Sequence, residues 1–99
     1  MYKEIDSYSL RDLLNKDKNI HLIDIRDNYH YISGCIPNAK NIPTNYLITN
    51  PTDYLDKNEV YYFYCNSGST SRRLCQFLAN KGYNVVNIED GYMGYLDSM

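Results

Sequence analysis

The sequence has no tryptophan, only three prolines and five glycines, and no long apolar run. Nothing in it approaches the roughly 20 apolar residues of a membrane-spanning helix, and the first ten residues lack the apolar core of a signal peptide. We therefore expect a cytoplasmic protein without a membrane partner. Three cysteines without a Cys-x-x-Cys pair fit neither a disulfide framework nor a zinc ribbon, so we expect free thiols, no metal and no cofactor.

Positive charge is also scarce. Ten Lys and Arg residues stand against twelve Asp and Glu, and the formal net charge is −2. Nucleic-acid binding needs clustered basic residues, so nucleic acid is not an expected partner. A chain of 99 residues with 43% hydrophobic residues can build one core, and we expect a single domain over residues 1–99.

What the sequence does contain is an alternation of strand and helix patterns. Strands are predicted at 2–5, 20–25, 39–42, 60–64 and 85–88, and helices at 7–14, 28–32, 45–48, 72–81 and 92–96. The clearest strand is 60–64, which consists of successive β-branched and aromatic residues. This order indicates βαβ units, and hence an α/β fold with a parallel sheet and helices on both faces.

Cys65 follows the predicted strand 60–64 and begins a polar segment. Open α/β sheets bind ligands beyond the carboxyl ends of their strands. The backbone N–H groups of the segment and of the next helix can cradle an anion, and Gly68 is expected to supply a positive φ. Such a cradle lowers a thiol pKa, so Cys65 is the predicted nucleophile. The predicted anion-binding loop is Asn66, Ser67, Gly68, Ser69, Thr70 and Ser71.

Several segments together resemble the landmarks of a single-domain rhodanese, in that family's order and spacing. They are residues 22–26, 34–39, 41–43, 64–71, 82–83 and 90–91. The resemblance implies a five-stranded, mostly parallel sheet in the order 1-5-4-2-3 and a sulfurtransferase reaction at Cys65. The thiolate would attack the outer sulfur of a small donor such as thiosulfate or a persulfide. The Cys65 persulfide would then pass its sulfur to a thiol or protein acceptor.

The chain departs from this family where the donor anion is bound. Family loops often carry a basic residue directly after the cysteine and an arginine five positions after it, where this chain has Asn66 and Thr70. Charge-assisted hydrogen bonds contribute roughly 1.5 to 3 kcal/mol, so thiosulfate is expected to be a poor donor. Arg72 is a candidate anion contact and the one expected nearby cation, whereas Asp90 is expected to repel anions at the mouth of the site.

The remaining candidate residues have structural interpretations. Asp24 and Arg26 end the second strand beside the loop, and an ion pair that supports the loop is expected there. Cys75 shares an apolar helical stripe and is predicted to lie in the core, while Arg73 is expected in solvent. Cys35 precedes the third strand, which would place it at the amino edge, about 17 Å from Cys65 and out of disulfide range.

Two other functions remain open from the residues alone. A phosphatase or arsenate reductase of the Cys-x5-Arg type needs an arginine six residues after the cysteine, where this chain has Ser71, with Arg72 one position later. A non-catalytic interaction module, or a sulfur carrier with weak thiosulfate activity, would keep the fold without donor-binding cations.

Overall fold

The computed structural model describes residues 2–99, in which five strands form one sheet. The strands are β1 (Lys3–Ile5), β2 (His21–Asp24), β3 (Lys40–Asn41), β4 (Val60–Tyr64) and β5 (Asn84–Ile88). Their order is β1-β5-β4-β2-β3, and every neighbouring pair is parallel. The predicted α/β class and the strand order implied by the resemblance are therefore confirmed.

Five α-helices connect and flank these strands. They are α1 (Ser7–Lys16), α2 (Asn28–Ser33), α3 (Thr44–Thr49), α4 (Ser69–Asn80) and α5 (Gly91–Asp97). A short 3₁₀ helix at Pro51–Asp53 was not predicted. None of the helices within residues 2–99 combines the length and the apolar character needed to cross a membrane.

Helix α4 begins three residues earlier than the apolar periodicity predicts, at Ser69 instead of position 72. Small polar residues are favourable at a helix start, where the N–H groups have no intrahelical acceptor. The predicted turn 66–71 is therefore a shorter loop followed by the first turn of a helix. This shift changes where every side chain from Ser69 to Arg72 points.

Apolar side chains cover both faces of the sheet. Along β4, Tyr61 and Phe63 pack on one face, and Tyr64 packs on the other. The first face is covered by apolar residues of α3 and α4, and the second by apolar residues of α1 and α5: Leu47, Leu74 and Leu78 on the first, Leu10, Leu14 and Tyr95 on the second. The predicted helices on both faces are confirmed, and the central strand β4 is fixed from both sides just before Cys65.

Candidate functional site

Cys65 lies directly after β4, at the carboxyl edge of the sheet, and is only 7% exposed. Its sulfur accepts hydrogen bonds from the backbone N–H of Gly68 at 3.2 Å and of Ser71 at 3.4 Å. The Ser71 hydroxyl oxygen lies 3.4 Å from the same sulfur. The loop and the first turn of α4 thus surround the thiol with hydrogen-bond donors.

These donors determine the acidity of the thiol. Burial opposes ionisation of Cys65, but the hydroxyl of Ser71 and the backbone N–H groups of Ser71, Gly68 and Ser67 outweigh it, so the pKa of Cys65 is lowered. A thiolate is the nucleophilic form of cysteine, and a lowered pKa increases its population near neutral pH. The arrangement therefore suits attack by the sulfur of Cys65.

Two glycines allow the loop to fold this closely. Gly68 has a φ of +96°, as predicted, and a Cβ there would collide with the carbonyl oxygen of Glu89. Gly91 has a φ of +62°, and its Cβ would lie 2.6 Å from the carbonyl oxygen of Cys65. The start of α5 therefore packs on the backbone of the loop, where the Tyr92 N–H donates to that same carbonyl at 2.8 Å.

A buried asparagine that the sequence analysis did not single out supports the loop from β5. Asn87 is fully buried, and its Nδ2 donates to the carbonyl oxygen of Gly68 at 3.3 Å and to Glu4 Oε2 at 2.7 Å. The Ser71 hydroxyl also lies 3.2 Å from the Gly68 carbonyl, but its single proton cannot serve both that oxygen and the Cys65 sulfur. When Ser71 donates to the thiolate, Asn87 still provides a donor to Gly68.

A cavity of about 580 Å³ opens above the thiol. It is lined by Cys65 and, of the predicted loop, by Asn66, Ser67 and Thr70. Gly68 and Ser71 are instead buried against the sulfur, and Ser69 is exposed at the start of α4. The backbone N–H groups of Ser69 and Thr70 donate to no acceptor within residues 2–99. These two N–H groups are available to bind an anion at the N-terminus of α4.

Arg26 is the cation that lines this cavity. Its guanidinium is held by fully buried Asp24, with Nη2 to Oδ2 at 2.7 Å and Nε to Oδ1 at 3.0 Å. Nη1 donates to Asn66 Oδ1 at 3.2 Å, which links the ion pair to the loop. Burial disfavours the charge, but Asp24 outweighs it and raises the pKa of Arg26. The expectation that Arg72 is the only nearby cation is therefore wrong.

Arg72 itself does not line the cavity. Its Nε lies 3.1 Å from Glu4 Oε2, and its side chain is about half exposed. The early start of α4 is the reason, because it places Arg72 on the fourth helical position, which faces β1. The predicted contact between Arg72 and the donor anion is therefore wrong.

Asp90 is also directed away from the cavity. Its Oδ2 accepts a hydrogen bond from the hydroxyl of buried Ser7 at 2.7 Å, which ties α1 to the start of α5. Since Asp90 does not line the cavity, the expected repulsion of anions by Asp90 is wrong; the acidic residue that lines the cavity is Asp27.

The other two cysteines occupy different environments. Cys75 lies fully buried in the core, as predicted, and burial raises its pKa to about 12. Cys35 directly follows Gly34, whose carbonyl accepts a hydrogen bond from Arg26 Nη2 at 2.6 Å. The chain thus runs along the carboxyl edge before it turns into β3, and the prediction of Cys35 at the amino edge is wrong.

Within residues 2–99, no three His, Cys, Asp or Glu side chains come together in a way that could hold a metal ion. At the cavity, the hydrogen-bonded thiol of Cys65 lies beside the guanidinium of Arg26.

This parallel α/β fold with a cradled thiol matches a known class. A family model described as a rhodanese-like domain matches residues 7–98. The chain therefore belongs to the rhodanese-like family.

Relatives that match nearly the whole length of this chain support the same family assignment. YtwF of Bacillus subtilis is 34% identical over 93 residues, which cover 94% of this chain and 89% of that protein. A sulfurtransferase of Allochromatium vinosum is 33% identical over 96 residues, which cover 96% of this chain and 89% of that protein. The crystal structure of a rhodanese-like domain protein from Staphylococcus aureus has a TM-score of 0.84 at 32% identity, with 94% of this chain and 90% of that chain covered. Together they support a role in sulfur transfer.

Proposed function

We propose that this protein is a sulfurtransferase that carries sulfur as a persulfide on Cys65. The observation that carries the proposal is the cradle around the thiol, in which Gly68 and Ser71 donate to a sulfur whose pKa is lowered and which borders an open cavity. A thiolate held in this way is both a nucleophile and a site where an added anionic sulfur is stabilised.

In the first half-reaction, the Cys65 thiolate attacks the outer sulfur of the donor. With thiosulfate, a new sulfur–sulfur bond forms to Cys65 as the original one breaks, and its electron pair leaves with sulfite. The terminal sulfur that remains on Cys65 carries negative charge at the start of α4. The N–H groups of Ser69 and Thr70, which donate to no protein acceptor among the described residues, support this charge.

Arg26 supports binding of the oxyanion end of such a donor. A guanidinium has five N–H donors. Asp24 and Gly34 occupy the donors on Nε and Nη2, and Asn66 occupies one on Nη1. One Nη1 donor is left for an anion in the cavity. Arg26 thereby takes over part of the role of the basic residues that the loop lacks, and thiosulfate becomes a better donor than the loop alone suggests.

In the second half-reaction, an acceptor thiolate attacks the outer sulfur of the persulfide. The sulfur–sulfur bond to Cys65 breaks, and its electron pair restores the Cys65 thiolate, so no external oxidant or reductant is needed. The acceptor is a small thiol or a cysteine of a partner protein. The cavity mouth between α3 and the loop is the side from which it approaches.

The experiment is intact-mass analysis after incubation with thiosulfate, mercaptopyruvate or inorganic polysulfide. We expect a gain of one sulfur atom that disappears on reduction and is absent in Cys65→Ser, while Cys35→Ser retains it as the matched control. If no donor adds sulfur to the folded wild-type protein, the proposal is wrong and a non-catalytic interaction module is favoured. If Cys65→Ser gains sulfur equally, the proposal is wrong because another thiol carries the sulfur.

The Cys-x5-Arg phosphatase alternative receives no support from the geometry. Its arginine position is held by Ser71, whose N–H and hydroxyl both approach the Cys65 sulfur. The next residue, Arg72, is paired with Glu4 outside the cavity.

A further inference from the structure

The cavity above Cys65 is larger than an inorganic donor requires. Its volume of about 580 Å³ falls within the roughly 300 to 1,000 Å³ of pockets that enclose organic ligands. Part of its wall is apolar, with Ile25 and Ile48 facing the same space as Cys65. The site therefore has room for an organic group attached to the reacting sulfur.

A second depression adjoins this cavity between α3 and α4. It has a volume of about 200 Å³ and is called the α3–α4 groove here; it is lined by Thr44, Ile48, Thr70, Arg73, Leu74 and Phe77. Three of these residues, Thr44, Ile48 and Thr70, also line the cavity above Cys65. The two depressions thus share a wall, and a ligand that reacts at the thiol can extend across it into the groove.

The α3–α4 groove has an apolar wall and positively charged side chains beside it. Leu74 and Phe77 form its apolar part together with Ile48, which is 47% exposed. Arg73 is exposed at the rim and makes no ion pair or hydrogen bond with residues 2–99. Lys81 Nζ lies 5.0 Å from the centre of the Phe77 ring and adds a second positive charge.

We propose that the α3–α4 groove binds the organic part of the substrate, an organic persulfide or thiol with an apolar segment followed by an anionic group. The anionic group pairs with Arg73, the apolar segment covers Ile48 and Phe77, and the sulfur reaches Cys65. No acidic side chain lines the groove, so its charge complements such a ligand. This assignment of a substrate class rests on the function proposed above.

The transfer step balances without a further reactant. The Cys65 thiolate attacks the outer sulfur of R–S–SH, the sulfur–sulfur bond of the donor breaks, and its electron pair leaves on R–S⁻. Cys65 then carries S–SH. The group R stays in the α3–α4 groove during the step, so its contacts hold the reacting sulfurs in line.

The test compares two donors in steady-state kinetics: the persulfide of 6-mercaptohexanoate, which has an aliphatic chain ending in a carboxylate, and inorganic polysulfide, which has no organic body. Arg73→Glu should raise the KM for 6-mercaptohexanoate persulfide roughly two- to tenfold, as expected for reversing one exposed charge contact. The KM for polysulfide should rise by a smaller factor, and kcat should change little with either donor. Lys18→Glu is the matched control, because it makes the same charge change at an exposed turn after α1.

A binding measurement separates this proposal from the proposed function. Addition of 6-(methylthio)hexanoate, the unreactive analogue of that donor, to Cys65→Ser should shift the amide NMR signals of Leu74, Phe77 and Arg73. If polysulfide persulfidates Cys65 but Arg73→Glu and Lys18→Glu act alike on both donors and these signals do not move, the groove assignment is wrong. If no donor persulfidates Cys65, the proposed function is wrong, while the NMR shifts still decide whether the groove binds the ligand.

Discussion

Cys65 and Cys75 are both buried, at 7% and 0% exposure, yet the two thiols are opposite in acidity. Cys75 lies among aliphatic side chains of α4 and the sheet, and burial raises its pKa to about 12. Cys65 is also penalised by burial, but hydrogen bonds from Gly68 and Ser71 lower its pKa. The comparison shows that burial alone does not set the acidity of a thiol. The hydrogen-bond donors aimed at the sulfur decide it, first the Ser71 hydroxyl and then the backbone N–H groups.

The largest expected effect is on the alkylation of the native protein by iodoacetamide at neutral pH. A pKa below the ordinary thiol value for Cys65 and of about 12 for Cys75 implies a thiolate ratio above roughly a thousandfold. The alkylation rate of Cys65 should therefore exceed that of Cys75 by a factor on the order of a thousand or more. Peptide mass analysis measures both rates. Similar native rates would contradict the comparison, and equal rates in denaturant are the control.

The next effect concerns the cation beside the cradled thiol. Arg26→Gln should lower persulfide formation from thiosulfate about ten- to 150-fold, because it removes a charge-assisted hydrogen bond worth roughly 1.5 to 3 kcal/mol. It also leaves Asp24 charged and fully buried, which should destabilise the fold by about 3 to 5 kcal/mol.

A double variant separates binding from folding in that experiment. Asp24→Asn combined with Arg26→Gln removes the unpaired charge, so denaturant unfolding should show recovered stability while the thiosulfate rate stays low. Recovery of the rate together with stability would mean that Arg26 acts only through the fold.

A smaller effect on the pKa of Cys65 should follow from a substitution outside the loop that weakens its support. Asn87→Ala removes the side-chain donor from β5 to the Gly68 carbonyl. The competition for the Ser71 hydroxyl then increases, and the pKa of Cys65 should rise by up to about one unit, as expected for one neutral hydrogen bond. The pH profile of alkylation measures this shift.

Ser7→Ala is the control for Asn87→Ala, because Ser7 is also fully buried and hydrogen-bonded but contacts Asp90, away from the thiol. Both variants should lose stability, and only Asn87→Ala should move the pH profile. An equal shift in both would show that the pKa of Cys65 follows general loosening of the fold.

The smallest effect is a gain from adding a cation to the rim. Thr70 is exposed and lines the cavity, so Thr70→Arg should lower the KM for thiosulfate by roughly two- to fivefold, the range of an exposed charge contact. Thr52→Arg places the same charge on the exposed 3₁₀ helix at Pro51–Asp53 and should leave the KM unchanged. An unchanged KM in Thr70→Arg would mean that the anion binds away from this side of the cavity.

The positions of the main strands and of Cys65 at the end of β4 were predictable, because apolar periodicity and a strand followed by a polar turn are local signals. The order of the strands is not a local signal, and it followed only from the resemblance to single-domain rhodaneses. The roles of Arg26 and Arg72 were not predictable. The role of Arg72 depends on where α4 starts, because a shift of three residues turns its side chain toward Glu4. The role of Arg26 depends on the sheet, whose carboxyl edge brings a residue 39 positions before Cys65 to Asn66.

The role of Asn87 was not predictable for a related reason. A polar residue in a strand pattern gives no indication of its partner, and the contact between Asn87 and Gly68 spans 19 positions of the sequence. Cys35 was misplaced because residues 34–39 turn back along the carboxyl edge, which their position directly before β3 does not reveal.

The central claim is that the loop lowers the pKa of Cys65 despite burial. The most direct measurement is the pH dependence of thiolate ultraviolet absorbance in the wild-type protein minus that in Cys65→Ser. The account predicts one titration with a midpoint below the ordinary thiol value of about 8.5. A midpoint at or above that value would contradict the account, because burial would then outweigh the hydrogen bonds from Gly68 and Ser71.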